Sequence, residues 1–221
     1  MSGKKSARSP DRIRDADRSR EAILKAAENL FAEQGFDAVS LGQIAAAAGL
    51  SRGTPSYFFG SKEHLYRAVL ERAFREREEA TRRACRPLVT WADSEAGTSL
   101  RSALTEAVEG YLDFLLRHPE FLKLIQREEL AGAARLKEVP RESKAIEEAF
   151  GTVRAVAAKR DLKPFTVVDA VLVFVSLTFS PLTQRVTFMA SLGRDLNDAK
   201  ERRQHVRLAV DQILQVLGGD R

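Results

Sequence analysis

The stretch LGQIAAAAGLSRGTPSYFFGSKEHL, residues 41–65, constrains this chain more than any other segment. Two short apolar patterns flank one glycine, and Pro55 stands where the second pattern should be helical. Ala45 and Gly49 lie four residues apart. A small residue lets two helices cross closely, and glycine turns the backbone without a Cβ clash. Ile44, Ala48 and Leu50 fall on the inward side of such a crossing. This spacing is that of a helix-turn-helix pair, and taken alone it also fits the corner of any helical hairpin.

The flanking segments are helical by periodicity. Ile23, Ala27, Leu30 and Phe31 fall at i, i+4, i+7 and i+8. That helix is expected to end at Gly35, with Phe36 placed to touch Phe31 as in a glycine C-cap. Ser40 and Gln43 form a capping-box pair that starts the next helix. Ser51 is the expected cap of a third short helix, and Ser61 that of a fourth beginning near Lys62. From Glu71 to Arg86 the fourth helix carries both charge signs, the pattern of a solvated face with mutual ion pairing. Pro87 is expected to stop it, and TWADSEAG to form a loop in which one subdomain's contacts give way to another's.

Beyond the loop, Leu100, Ala103, Leu104, Ala107, Val108, Tyr111 and Leu115 mark a helix ending at His118-Pro119. Phe121, Leu122 and Ile125 mark another, and Ile146, Phe150, Val153 and Ala157 a third that ends before Pro164. Val168, Val171, Leu172, Val175, Phe179, Leu182, Val186 and Met189 form one stripe of a long helix, which Pro181 should kink or break by freeing the carbonyl of Leu177. The β-branched run 167–175 has no second strand to pair with. Val206, Val210, Ile213, Leu214 and Leu217 mark the last helix, which stops at Gly218-Gly219. The expected fold is all-α, with about nine helices: a three-helix N-terminal head followed by a larger helical bundle.

The second helix of the pair presents Arg52, Thr54, Ser56 and Tyr57 outward, a set suited to phosphate and base-edge contact in a major groove. Ser51 would direct that helix's free amides and positive dipole end at the duplex. Lys62, at the start of the next helix, is a second phosphate-anchor candidate. Residues 1–20 carry seven Lys/Arg against Asp11, Asp15 and Asp17, a local +4 of the chain's net +5. Such a basic start reads as a flexible arm suited to phosphates.

Other classes fit poorly. His64, His118 and His205 are far apart and lack metal-ligand spacing. Cys85, the single cysteine, forms no internal disulfide and fits a reducing compartment. No glycine loop cradles phosphate. Catalysis, metals and cofactors are therefore not expected. No apolar run follows the basic start, and VVDAVLVFVSLTFSPL is interrupted by Asp169 and Pro181, so neither secretion nor a membrane partner is expected and the location is read as cytoplasmic. A helical adaptor that binds only proteins would account for the bundle but not for SRGTPSYFFGSK.

The segment SREAILKAAENLFAEQGFDAVSLGQIAAAAGLSRGTPSYFFGSKEHLYRAVLE resembles the N-terminal domain of the TetR (tetracycline-repressor) family of bacterial transcription regulators. The resemblance covers roughly residues 19–71. It implies a DNA-binding set of Ser40, Gln43, Ser51, Arg52, Gly53, Thr54, Ser56, Tyr57 and Lys62. It also implies a domain order of arm (1–18), helix-turn-helix domain (19–66) and ligand-binding and dimerisation domain (67–221). The implied partners are a double-stranded DNA operator, a second copy of the chain through the last two helices, and a small effector, largely apolar or aromatic. The stripes on 168–189 and 206–217 are the candidate dimer seam. Tyr111, Phe114, Phe121, Phe150, Phe174, Phe179 and Phe188 are the candidate effector lining, with Thr178, Gln184 and Arg185 as polar anchors. Three positions depart from the family's pattern: Pro55 replaces an inward leucine, Phe58 a common histidine, and Gly42 a long polar side chain. Pro55 lies near the first turn, where the missing N–H costs little.

Overall fold

Proline is favoured in the first turn of a helix, and α1 opens with one, running Pro10–Gln34. The structure is a computed structural model that describes residues 10–94, 99–137, 139, 144–160 and 162–218, with the backbone alone at 10–13. Residues 10–18, read above as flexible arm, are thus the first turns of α1, where Asp15 and Arg18 pair one turn apart. The arm's first nine residues lie outside the described part. Helices α2 (Leu41–Ala47), α3 (Thr54–Phe59), α4 (Lys62–Asp93), α5 (Leu100–Arg117), α6 (Pro119–Leu130), α7 (Lys144–Val156), α8 (Val167–Thr183) and α9 (Ala199–Leu217) follow. No strand occurs among the described residues, so the β-branched start of α8 is helical.

Two compact units divide the chain: Met1–Arg72 with Lys123–Val139, and Ala73–Leu122 with Pro140–Arg221. The first buries Ile23, Leu24, Ala27 and Phe31 of α1, Ile44 and Ala45 of α2, Phe59 of α3, and Leu65, Val69 and Leu70 of α4. Gly35 ends α1 at φ +82°, and Phe36 lies 6.0 Å from Phe31, ring to ring. The last carbonyls of α1 have a donor from far along the chain. Arg127 of α6 donates from Nε to the Ala32 carbonyl at 2.8 Å and from Nη2 to that of Glu33 at 2.5 Å. Tyr66 Oη donates to Oε1 of the buried Glu128 at 2.8 Å, and burial followed by that carboxylate pushes the phenol's pKa upward. These contacts attach residues 123–139 to the head.

In the second unit α5 is buried along Leu104, Val108, Leu112 and Leu115 and packs on α8 and α9. Pro87 does not stop α4: the helix continues to Asp93 and takes in residues 90–93 of the expected loop. The reason is packing. Leu88, Trp91 and Ala92 lie one turn apart and are buried, which holds the helix despite the missing N–H. Arg160 stacks 5.0 Å over Trp91 and donates to the carbonyls of Trp91 and Ser94, supplying cations and donors at that helix end. The charged stretch of α4 is not wholly solvated either, because Glu78 accepts the Ala145 N–H at 2.7 Å at the start of α7.

Pro181 lies within α8, which ends two residues later; a π-helical turn, Arg185–Met189, follows. The expected single helix to Met189 is therefore broken, as loss of the Leu177 hydrogen bond predicts. Ala170, Phe174, Thr178 and Leu182 form the buried face of α8, whereas Val168 and Leu172 point outward. On α9 the stripe Val206, Val210, Ile213, Leu214 and Leu217 is buried within the subunit. It cannot serve as a seam between copies, because α5 and α8 already cover it.

Candidate nucleic-acid interface

Ser40 caps α2 reciprocally with Gln43. Its hydroxyl accepts the Gln43 N–H at 3.2 Å, and its own N–H donates to Gln43 Oε1 at 2.8 Å. The Gln43 carbonyl oxygen is therefore occupied, and its NH2 group has no partner among the described residues. Gly49, at φ +68°, reverses the chain, while Leu50 N–H returns to the Ala45 carbonyl at 2.9 Å. Ile44 and Ala45 are fully buried at the crossing.

Helix α3 starts at Thr54 with Gly53 as its cap residue, not Ser51. The Ser51 hydroxyl instead lies 2.7 Å from that of Thr54, and its carbonyl accepts the Thr54 N–H. Pro55 occupies the first turn, where it has no N–H to satisfy, and it is buried with Phe59, i to i+4. The inward position is thus filled by a ring instead of a leucine. Arg52, Gly53, Ser56 and Tyr57 are exposed, Tyr57 at 76%. The Phe58 ring packs edge-on against Tyr57 at 5.2 Å.

Gly42 has a specific consequence. A Cβ there would lie 3.6 Å from Arg52 Nε, so the guanidinium stem rests against the bare backbone of α2. Arg20 of α1 sits 5.0 Å over the Phe59 ring and is itself exposed, which brings a cation beside α3. Nothing in its local spacing marks Arg20 for that place. Lys62 is placed differently from the expectation of a phosphate anchor. Its ammonium donates to the Phe36 carbonyl at 3.0 Å and lies 4.3 Å over the Phe36 ring, tying α4 to the turn after α1. Ser61 caps α4, accepting the His64 N–H at 3.2 Å. From Ala38 to Lys62 the chain contains no Asp or Glu, so the surface around α3 presents cations, hydroxyls and one phenol to solvent.

The candidate effector residues divide. Tyr111, Phe114, Phe121, Phe174 and Phe179 form a connected set of rings with centroids 5.5–6.5 Å apart, and Phe150 joins it through Phe174 at 5.9 Å. Thr178 is buried but donates to the Phe174 carbonyl of its own helix at 2.8 Å. Gln184, and Arg185 and Phe188 on the π-helical turn that follows it, are exposed and do not join the rings. A cleft of about 370 Å³ lies beside Phe114, bounded by Arg83, Glu106, Arg117 and His118. No cluster of metal-ligating side chains occurs among the described residues, and no described helix is long and apolar enough to cross a membrane.

Residues 23–69 match the family model for bacterial regulatory proteins of the tetR family, and residues 101–213 that for the tetracyclin repressor-like C-terminal domain. The second match alone spans just over half of the chain. The HTH-type transcriptional repressor NicS of Pseudomonas putida is 29% identical over 211 residues, covering 93% of this chain and 95% of that protein. The HTH-type transcriptional regulator RutR of Escherichia coli is 46% identical over 59 residues, 27% of this chain and 28% of RutR. The crystal structure of a TetR-family regulator from Mesorhizobium loti superposes with a TM-score of 0.69 at 20% identity, covering 92% of this chain and 98% of that one. A Marinobacter aquaeolei regulator does so at 0.63 and 23% identity, over 95% and 100%. The acid-free α2–α3 surface and both family matches lead to one conclusion: the chain belongs to the TetR family of DNA-binding transcriptional regulators.

Proposed function

We propose that this protein is a homodimeric repressor that occupies a pseudo-palindromic operator and is released by a small molecule. The observation that carries the reading is the α3 face. Ser56 and Tyr57 are exposed on a six-residue helix whose other side, Pro55 and Phe59, is buried, and Arg52 is exposed in the turn that leads into it. A helix this short owes its stability to that packing, which leaves the Ser56 hydroxyl, the Tyr57 phenol and the Arg52 guanidinium facing solvent. Arg52 contacts a base edge, Ser51, Thr54, Ser56 and the Gln43 NH2 contact phosphate, and Tyr57 packs against the groove. Ser40 and Gly53 hold the backbone close to the duplex. Arg20 and the basic residues before it add flanking backbone contacts.

Support for the dimer comes from apolar side chains left exposed on the last two helices: Val168, Leu172 and Leu208. Isolated exposed apolar side chains are ordinary, but three on α8 and α9, which pack on each other, fit a four-helix seam. The repressor sense follows NicS, a repressor by name. The effector site we propose is the ring cluster of Tyr111, Phe114, Phe121, Phe150, Phe174 and Phe179, which borders the cleft beside Phe114. Its lining suits a largely apolar or aromatic molecule.

In-vitro selection from a random duplex library with the full-length protein tests this reading. An enriched inverted repeat, with half-sites about one turn (roughly 34–36 Å) or a multiple apart, supports it. Affinity should fall by ~0.9 log units per tenfold rise in salt for each phosphate contacted. Absence of enrichment, with no binding at low salt, would replace the regulator with a protein-binding adaptor.

A further inference from the structure

Arg52 is the only cation between Ala38 and Ser61, and no Asp or Glu stands in that stretch. Lys62, next along the chain, is held at the Phe36 carbonyl and ring. Reading of a groove by charge from α2, α3 and the turn between them therefore rests on one guanidinium. Its course is set by the residue it crosses. A Cβ built on Gly42, the second residue of α2, would lie 3.9 Å from Cγ of Arg52 and 3.6 Å from its Nε. Two points along one side chain lie within contact of the same position, so the arginine stem runs flat across the backbone of α2.

The backbone itself does not ask for glycine at 42. Its φ is not positive, unlike that of Gly49, so any residue adopts its conformation, and glycine in a helix is less stable than alanine. The neighbouring side chains of α2 are committed elsewhere. Gln43 Oε1 accepts from the N–H and from the hydroxyl of Ser40, each at 2.8 Å, and Ile44 and Ala45 are buried. What glycine supplies is room for a side chain that arrives from the following turn.

We propose that Gly42 is a specificity-determining position: its missing side chain opens the space in which Arg52 lies, and the arginine so held reads a guanine. This rests on the operator-binding reading above. Guanine is the base whose O6 and N7 accept both donors of one guanidinium. A stem already laid against α2 has fewer rotamers to lose on binding, which favours a fixed approach to one base pair. A long side chain at 42 has to share that space and therefore displaces the stem. Gly42 acts through Arg52 and is a positioning residue.

Selection from a random duplex library, followed by fluorescence anisotropy on single-base variants of the enriched site, tests the proposal. The full-length protein is compared with Gly42→Ala, Gly42→Gln, Arg52→Gln and the Gly42→Gln/Arg52→Gln double variant. In the unsubstituted protein one guanine per half-site should be preferred by about 5- to 150-fold, and Arg52→Gln should remove that preference. Gly42→Gln should remove most of it and leave preferences at other positions in place. Gly42→Ala, whose methyl meets Arg52 only in ordinary van der Waals contact, should remove less. Alanine strengthens the helix, so this comparison holds even where Gly42→Gln loosens the head. In the Arg52→Gln background, Gly42→Gln should change nothing further at that base pair. An even loss of affinity across all sequences, with the guanine preference intact, would mean that residue 42 acts on the fold alone and would overturn the proposal. Additive effects of the two substitutions at that base pair would do the same. An enriched repeat with no Arg52-dependent guanine would overturn it and leave the regulator standing, whereas no enrichment by the unsubstituted protein would remove both readings.

Discussion

Nε2 of His205 on α9 lies 2.7 Å from the carbonyl oxygen of Leu177 on α8, the acceptor that Pro181 leaves without its helical donor. A carbonyl only accepts, so this contact requires the Nε2–H form of the ring. His205 is buried, which makes its imidazole a side-chain replacement for a missing backbone N–H. His205→Ala should cost about 1–3 kcal/mol by leaving that carbonyl unsatisfied. Pro181→Ala restores the N–H, so in the Pro181→Ala background the same histidine substitution should cost less. Urea unfolding of the four proteins checks this; additive effects would mean that the contact contributes nothing.

Arg52→Gln should weaken specific operator binding by about 1–3 kcal/mol and relax selectivity at one base position. Fluorescence anisotropy on the selected sequence and its single-base variants reads both. A uniform loss across all duplexes would reassign Arg52 to phosphate.

Gly49→Ala should destabilise the head by about 1–2 kcal/mol, the cost of a left-handed backbone with a Cβ. No atom lies within 4 Å of the added methyl, so the cost is conformational and not steric. Gly49→Asn should cost less, since asparagine visits that region more readily. Equal losses in thermal unfolding would contradict this account.

Leu172→Glu combined with Leu208→Glu should give a folded monomer with greatly reduced operator affinity. Both side chains are more than half exposed, so neither supports the subunit's own core. Sedimentation equilibrium decides: an intact dimer would place the seam elsewhere.

The Cys85 thiol is pushed up to about 12 from 9.0 by burial, with Glu78 adding to it, and burial likewise pushes the Tyr111 phenol from 10.0 to about 12. Folded values above unfolded ones mean that this contribution to stability is complete below pH 9 and is lost as pH rises through 12. Chemical unfolding along that range should show the decline. At neutral pH Cys85 should react with a thiol reagent only on unfolding; fast native labelling would mean that α4 opens locally.

Much of this was legible along the chain. The caps of α2 and α4, the glycine end of α1, the positive-φ turn at Gly49 and the break after Pro181 are local, because each depends on residues within one turn of each other. The outward set on α3 followed from periodicity once the inward positions were known. Pro87 and Ser51 depart from their local rules. A local rule expects proline to stop a helix and serine to cap one, but buried Leu88 and Trp91 carry α4 onward, and Gly53 takes the cap position of α3.

The sequence by itself determined the all-helical class, the helix-turn-helix pair and its exposed polar face, since these follow from spacing and side-chain chemistry within some 25 residues. Only tertiary structure decided which apolar stripes turn inward, because α9's stripe and α8's outer residues have the same periodicity and differ only in what packs against them. It also decided that Lys62 serves the turn at Phe36, that Arg127 caps α1 from 95 residues away in the chain, and that His205 replaces Pro181's missing donor. A polar group's partner is set by three-dimensional proximity, which no local pattern encodes.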